Sequence, residues 1–228
     1  MPATGLFERG REVRLSIFDL DNTLIGGDSD VLWTDFLVES GVLSEQDREE
    51  SRRFYREYED GRMDIAEFLR FQLRPLGEND PENLECWRSR FVEEKISPVV
   101  LPGARRLLEK CRSEGHELLI ITATNRFITA PIAELLVVEN LLATEPEIVN
   151  GKYTGRSVGV PCFQEGKIRR LEAWLNENGF RNLETWFYSD SRNDIPLLEY
   201  VSHPVAVDPD PYLSKYAAER GWPSISLR

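Results

Sequence analysis

The chain has 228 residues, of which 41% are hydrophobic and 30% charged, a composition typical of a globular protein with a core of ordinary size. Its net charge of −12 argues against binding to nucleic acid or to an anionic membrane surface, since both require a basic face. No apolar run approaches the length of a membrane span, and the charged N-terminus lacks the apolar segment of a signal peptide, so we expect a cytoplasmic protein.

The cysteines and histidines give no sign of a metal centre or a disulfide framework. Cys86, Cys111 and Cys162 stand far apart without CxxC spacing, which favours free thiols in a reducing compartment. His116 and His203 have no third ligand candidate near them in the sequence. The oligomeric state stays open at this stage.

The first predicted element is a buried strand over residues 13–18, which ends directly before Asp19. Asp21 follows two residues later. Two carboxylates in one loop repel each other and raise each other's pKa unless a cation lies beside them. With Mg²⁺ bound there, Asp19 can stay ionised as a nucleophile and metal ligand, while Asp21 holds a proton for a leaving group. The alternative, a pair of capping residues, is disfavoured by the apolar strand before the pair and Thr-Leu after it.

A helical block follows this loop. Amphipathic patterns predict helices over 31–41, 44–58, 65–73 and 80–91, the third of them stopped by Pro75. Because the block lies between the first strand and the next α/β unit, we interpret residues 28–100 as a helical cap. The core then comprises residues 1–27 and 101–228.

Beyond residue 100, strands and helices alternate, which predicts an α/β fold with a doubly wound, Rossmann-like parallel sheet whose ligand site lies at the carboxyl ends of the strands. Asp19, Thr122 and Asp190 each stand at such an end. The predicted helices cover 104–113, 129–137 and 167–178, and a hairpin is predicted at Asn150-Gly151. The predicted strands cover 118–122, 141–143, 185–188, 205–207 and 224–227.

Polar residues beside these strands are candidates for binding an anion. Thr122 and the backbone N–H groups after it can hold a phosphoryl oxygen, although a helix cap would explain the same residue, as it would for Asn125. Lys167 begins a helix, where its charge opposes the helix dipole unless it neutralises an anion. Lys152 in the hairpin is the alternative candidate for that lysine.

The segment YSDSRND supplies a second set of carboxylates. Asp190 ends a predicted strand, and Asn193 and Asp194 follow it. Helix capping would explain Asp194 but leaves Asp190 without a role. The spacing therefore favours a functional loop over a simple cap.

Together, DLDNTL, TATN, the lysine and SDSRND resemble, in order, the four motifs of the haloacid dehalogenase superfamily of phosphohydrolases. The resemblance covers essentially the whole chain and implies that Asp19 is phosphorylated and that Asp21 is the general acid and base. A carboxylate at Asp21 favours hydrolysis of a phosphomonoester over dehalogenation or ATP-driven transport. Thr122 and Lys167 would stabilise charge on the transferred group.

The resemblance also implies a cofactor. Mg²⁺ would be held by Asp19, the backbone carbonyl of Asp21 and Asp190, together with the substrate phosphate and water, an oxygen set that suits this cation. Asp194 would support the site through a hydrogen bond, and Asn193 is a candidate for contact with the phosphate or substrate.

The cap resembles that of phosphoserine phosphatases, with two informative departures. Asp28 stands nine residues after the nucleophile, where those enzymes carry a Glu that meets the substrate ammonium. GRMDIAEFLRFQL places Gln72 where they carry an Arg that pairs with the substrate carboxylate. A neutral amide cannot replace a bidentate guanidinium. Arg70 or Arg74 remain candidates to compensate.

These departures predict a small phosphorylated metabolite that bears an amine but no carboxylate, and histidinol phosphate fits that description. LIGGDSDVLW and TATN also resemble the bacterial group to which histidinol-phosphatase activity is assigned. An imidazole would stack on cap aromatics, unless these only pack the cap; the candidates are Trp33, Phe54, Tyr55 and Trp87. The alternatives are a phosphoserine phosphatase, a phosphotransferase, and an inactive phosphate-binding scaffold.

Overall fold

A computed structural model describes residues 13–180 and 183–228, and its framework is a seven-stranded sheet with the strand order β4-β3-β2-β1-β5-β6-β7. All neighbouring strands pair in parallel except β3 and β4. The predicted α/β class is confirmed, and so is the hairpin, which forms the antiparallel edge. The strands are β1 Val13–Phe18, β2 Glu117–Asn125, β3 Asn140–Val149, β4 Lys152–Val158, β5 Leu183–Ser189, β6 His203–Val207 and β7 Ser224–Ile225.

Helices cover both faces of this sheet. Alternate residues of the central strands point to opposite faces. Leu15 and Ile17 therefore join one apolar cluster, while Phe18 joins the other. The helices are α1 Ser29–Glu39, α2 Glu45–Glu59, α3 Ile65–Glu78, α4 Pro81–Phe91, α5 Pro102–Ser113, α6 Arg126–Leu135, α7 Glu165–Glu177, α8 Ile195–Tyr200 and α9 Pro211–Arg220.

The helical block α1–α4 is connected to the sheet by two segments that run side by side. The Gly26 N–H donates to the Val99 carbonyl at 2.7 Å, and the Leu101 N–H donates to the Leu24 carbonyl at 3.1 Å. An inserted unit needs this arrangement, because its chain must leave and re-enter the core at one place. The division into a cap over 28–100 and a core remains a prediction.

The edge hairpin also contacts this helical block. A Cβ atom placed on Gly77 of α3 would lie 2.8 Å from the backbone nitrogen of Gly155 in β4, so the helix and the strand are in backbone contact. The β3–β4 hairpin therefore packs against α3 and helps to hold the block over the sheet.

Several predicted boundaries differ from the structure, the largest difference being at strand β3, which covers Asn140–Val149 rather than 141–143. Three other differences have a local reason. Pro75 does not stop α3, which continues to Glu78 because Pro75 and the following Leu76 are buried against the core. Helix α6 begins at Arg126 rather than 129, since the Asn125 side chain caps it by accepting from the Ile128 N–H. Strand β2 continues past Thr122 to Asn125, with an irregular register after Ile121.

The structure describes the region concerned for the membrane prediction but not for most of the signal-peptide prediction. The expected lack of a signal peptide concerns residues 1–12, which lie outside the described residues. Among the residues that are described, no helix is both long enough and apolar enough to cross a membrane.

Candidate active site

Asp19 lies at the carboxyl end of the central strand, where a buried lysine contacts it. The Lys167 Nζ atom lies 2.8 Å from Asp19 Oδ1 and 2.7 Å from Asp194 Oδ1, and only 2% of the Lys167 side chain is exposed. Burial alone would lower the pKa of Lys167, but the attraction of Asp19 and Asp194 outweighs it and raises that pKa. Lys167 is therefore a permanent cation beside Asp19. Its competitor in the sequence, Lys152, is exposed and pairs loosely with Asp80.

Asp194 is held from a second side. The Ser189 hydroxyl donates to Asp194 Oδ2 at 2.7 Å. Both carboxylate oxygens of Asp194 also lie close to Lys167 Nζ. Asp194 therefore holds the lysine in place, and it does not line the cavity. The supporting role that the family resemblance implies for Asp194 remains a prediction.

A threonine joins Asp19 to Asp190. The Thr23 Oγ1 atom lies 3.4 Å from Asp19 Oδ2 and 3.1 Å from Asp190 Oδ1, and it accepts from the Asp190 N–H at 3.1 Å. Burial raises the pKa of Asp19 to about 7, with Lys167 opposing the rise. Burial, followed by repulsion from Asp19 and Asp194, raises the pKa of Asp190 well above its usual range. Two carboxyl groups are thus brought together with more negative charge than the single lysine offsets.

This donor set fits a hard divalent cation. Lys167 contacts Asp19 at Oδ1, while Asp19 Oδ2 lies on the side of Thr23 and Asp190. A cation on that side would offset the repulsion that raises the pKa of Asp190. Within residues 13–180 and 183–228, there is no group of three or more His, Cys, Asp or Glu side chains that could hold a metal ion by themselves. Two carboxylates and a backbone carbonyl suit Mg²⁺, which keeps several waters.

Asp21 is held by neutral donors instead of a cation. Its Oδ1 accepts from the Ser29 N–H at 2.7 Å, and its Oδ2 lies 2.9 Å from Thr124 Oγ1 and 3.4 Å from Thr122 Oγ1. Burial raises the pKa of Asp21. A carboxyl with a raised pKa that stands in a cavity is suited to donate and accept a proton.

Two further carboxyl groups stand beside Asp21 at the start of α1. Asp28 caps the helix, accepting from the Val31 N–H at 2.9 Å, and Asp30 is buried within the first turn. Burial, followed by repulsion from Asp21 and Asp30, raises the pKa of Asp28 well above its usual range. A cationic group in the cavity would relieve that repulsion.

The cavity above Asp19 and Asp21 is lined by carboxyl and hydroxyl groups around Asp21 and by mainly aromatic and apolar side chains from residues 51–68. Among its described lining residues there is no arginine, lysine or histidine. The lining consists of Asp19, Asp21, Asn22, Asp28, Asp30, Val31, Ser51, Phe54, Tyr55, Tyr58, Met63, Phe68, Thr122, Ala123 and Thr124.

Of the aromatic candidates, Phe54 and Tyr55 line this cavity and the two tryptophans do not. Trp33 is only 1% exposed and packs against Phe36, Phe91 and Phe127. Trp87 packs against the same apolar cluster. The apolar pattern of the cap helices identified these side chains but could not tell which would face the cavity.

Gln72 and Asn193 are placed behind the cavity rather than in its lining. Gln72 is buried, and its Nε2 donates to Asp30 Oδ1 at 2.7 Å. Asn193 donates to the Tyr58 carbonyl at 2.9 Å, so it ties the end of α2 to the loop after β5. Both positions correct the expected direct contacts with substrate, because protein partners occupy both side-chain amides.

The arginines proposed to replace the missing guanidinium do not reach the cavity either. Arg74 Nη2 donates to Asp47 Oδ1 at 2.6 Å, and Arg70 is exposed on the outer side of α3. Sequence reasoning also missed Thr124 and Asp30 as neighbours of Asp21. Their only signal was the second threonine of TATN and the second aspartate of GDSD, residue types that are equally common as caps.

Comparison with known proteins identifies relatives along nearly the whole chain. A family model described as haloacid dehalogenase-like hydrolase matches residues 17–199. A histidinol-phosphatase of Neisseria meningitidis serogroup C (strain 8013) is 43% identical over 220 residues, which cover 94% of this chain and 99% of the relative.

Solved structures agree with this relationship. A Bordetella pertussis Tohama I protein of unknown function is 39% identical with a TM-score of 0.88, over 96% of this chain and 100% of that one. A phospho-aspartyl intermediate analogue of phosphoserine phosphatase, at 20% identity and a TM-score of 0.70, covers 96% of this chain and 95% of that one, and shares the fold.

Proposed function

Since the chain belongs to the haloacid dehalogenase-like hydrolase family and is a phosphatase of that family, we propose that it hydrolyses histidinol phosphate through an aspartyl-phosphate on Asp19. The observation that carries the mechanism is the pair of carboxyl groups on one cavity with opposite surroundings. Asp19 contacts the Lys167 ammonium, whereas the hydrogen-bond partners of Asp21 among the described residues are neutral donors. Such a pair separates a nucleophile from an acid.

The reaction has two steps. A carboxylate oxygen of Asp19 attacks phosphorus, the ester P–O bond breaks, and Asp21 gives its proton to the leaving alkoxide. Asp21 then takes a proton from water, which attacks phosphorus and breaks the bond to Asp19. Lys167 stabilises the ionised Asp19. The Thr122 hydroxyl lies 3.4 Å from Asp21 Oδ2 without substrate and would donate to a phosphoryl oxygen once substrate is bound.

Mg²⁺ is the cofactor that this site supports best. Asp19, Asp190 and the Asp21 carbonyl would hold it, and the ion would supply positive charge for the phosphoryl oxygens. Excess chelator should abolish activity, and added Mg²⁺ should restore it. Asp190→Asn should raise the Mg²⁺ concentration needed for half-maximal rate, whereas full activity in chelator would contradict the role of the ion.

The substrate follows from the charge of the cavity. Its described lining carries four aspartates and no cationic side chain, which favours an ammonium and disfavours a carboxylate. Asp28 is our candidate for the ammonium, and Tyr55 and Tyr58, which line the same cavity, are candidates to stack on an imidazole ring. The relative named a histidinol-phosphatase supports the same choice. Phosphoserine is disfavoured because its carboxylate would meet only like charge.

Initial rates with saturating Mg²⁺ on histidinol phosphate and on phosphoserine test this choice. We expect kcat/KM to be at least about tenfold higher for histidinol phosphate, the size of one lost charge-assisted contact. A preference for phosphoserine would refute the substrate and leave the phosphatase assignment standing. A scaffold without activity is disfavoured because Asp19, Asp21 and Lys167 are all present with catalytic contacts.

A further inference from the structure

Three buried side chains from three different elements form a chain of hydrogen bonds behind Asp21. Gln72 Nε2 lies 2.7 Å from Asp30 Oδ1, Asp30 Oδ2 lies 3.0 Å from Thr124 Oγ1, and Thr124 Oγ1 lies 2.9 Å from Asp21 Oδ2. The chain therefore joins α3, α1 and β2 to the general acid.

The number of protons in this chain is limited. A threonine hydroxyl has one proton, and Thr124 has a carboxyl oxygen at hydrogen-bond distance on each side. If Asp21 and Asp30 were both ionised, one of these contacts would bring two acceptors together in a buried place. One carboxyl must therefore hold a proton and donate it to Thr124.

The surroundings of the two carboxyl groups decide which one donates to Thr124 and which one exchanges its proton during the reaction. Asp21 accepts the Ser29 N–H at 2.7 Å and has Thr122 Oγ1 at 3.4 Å, donors that stabilise its ionised form. Apart from Thr124, Asp30 accepts from one donor, the neutral amide of Gln72, and only 6% of Asp30 is exposed. Burial raises the pKa of Asp30 to about 7, which agrees with this assignment.

We propose that Asp30 is a positioning residue: as a neutral acid held by Gln72, it donates to Thr124 and so makes the Thr124 hydroxyl donate to Asp21. The direction of donation matters for catalysis. Because Asp21 accepts from Thr124, its own proton is not used within the chain and stays available to the leaving group. Once ionised, Asp21 is held by two donors, Ser29 and Thr124, in the position of a base. The inference rests on the proposed role of Asp21 as general acid and base.

A comparison of leaving groups tests this role. An alkoxide must be protonated as it leaves, whereas the p-nitrophenolate of p-nitrophenyl phosphate needs no proton. We use kcat/KM, which reports the steps up to formation of the phospho-enzyme. The alkyl ester is whichever of histidinol phosphate and phosphoserine the wild type hydrolyses faster.

Asp30→Ala and Thr124→Val should each lower kcat/KM for the alkyl ester about tenfold or more, and that for p-nitrophenyl phosphate less than about threefold. Asp30→Asn should restore most of the alkyl-ester activity, because its amide can donate to Thr124 and its carbonyl can accept from Gln72. Thr124→Ser should do the same. Thr129→Val is the matched control, since Thr129 is a buried threonine whose hydroxyl donates to the Asn125 backbone carbonyl.

Equal losses on both esters would overturn the positioning role, since a purely structural defect affects both. An Asp30→Asn variant as impaired as Asp30→Ala would overturn the neutral acid. If Asp30→Ala does not fold, Thr124→Val and Thr124→Ser carry the same test. A wild type inactive on both alkyl esters would overturn the proposed function together with the positioning role.

Discussion

Asp19 and Asp30 are both buried carboxyl groups, and burial raises the pKa of each to about 7. The groups that surround them nevertheless differ in charge. On the sheet side of the cavity, Asp19 is paired with the Lys167 ammonium. On the side of α1, Asp30 is bonded to the amide of Gln72 and the hydroxyl of Thr124. One carboxyl is matched by a cation and the other by neutral groups.

The difference shows how one small site can hold several aspartates. An ion pair favours the charged form of Asp19, which a nucleophile needs. Burial without a contacting cation favours the protonated form, which an acid and its support need, although the neutral donors beside Asp21 and Asp30 oppose the rise in pKa. Each of the following predictions changes one side and compares it with the other.

The largest effect is expected at the nucleophile. Asp19→Asn should lower kcat by about 10⁴-fold or more, because an amide cannot form the phospho-enzyme, an effect of the size seen when a catalytic nucleophile is removed. The variant should fold, since the Asn carbonyl can still accept from Lys167. Phosphate release measures the first effect and circular dichroism the second. Turnover within tenfold of wild type would refute the assignment.

The next effect is on stability, at the ion pair. Lys167→Met leaves Asp19 and Asp194 buried without a cation, which should lower the free energy of unfolding at pH 8 by about 3–5 kcal/mol. The loss should shrink at pH 5, where Asp19, whose pKa burial raises to about 7, can take up a proton. Adding Asp194→Asn should recover part of the stability but no activity. Urea unfolding at both pH values measures this, and a loss independent of pH would contradict the pairing.

A smaller effect is expected where the substrate ammonium is proposed to bind. Asp28→Asn should raise KM for histidinol phosphate about ten- to a hundredfold, the loss of one charge-assisted contact of about 1.5–3 kcal/mol. p-Nitrophenyl phosphate carries no ammonium and serves as the internal control. If KM rises equally for both esters, Asp28 acts by holding α1 in place instead.

Much of this site could be predicted from the sequence because its residues follow strands. Asp19 and Asp190 directly follow apolar runs, and the carboxyl ends of neighbouring parallel strands meet at one edge. The lysine was found by its unfavourable place at a helix start, which the contacts with Asp19 and Asp194 explain. The family and the fold class are confirmed; the roles of the individual residues remain predictions.

The cap side could not be predicted in the same way. Whether Gln72 meets a substrate or another side chain depends on the packing of α3 on α1, which has no signature in a single sequence. In the structure an arginine at this position would meet Asp30, so Gln72→Arg should not create a contact for the carboxylate of phosphoserine. The contacts of Thr124 could not be predicted for the same reason, since a threonine near a strand end caps a helix as often as it binds another side chain.

The smallest effect is a change in how stability depends on pH. The pKa of Asp30 is about 7 in the folded protein, against an ordinary value of 3.8. Between these pH values the folded protein holds a proton that the unfolded chain has released, so the free energy of unfolding falls as pH rises. Because Asn does not titrate, the free energy of unfolding of Asp30→Asn should lack the decrease with pH that Asp30 causes in the wild type. Its Tm relative to wild type should therefore rise between pH 4 and pH 7, by about 2–4 °C for each kcal/mol. Thr129→Val should show no such trend, and a constant difference between Asp30→Asn and wild type would contradict a protonated Asp30.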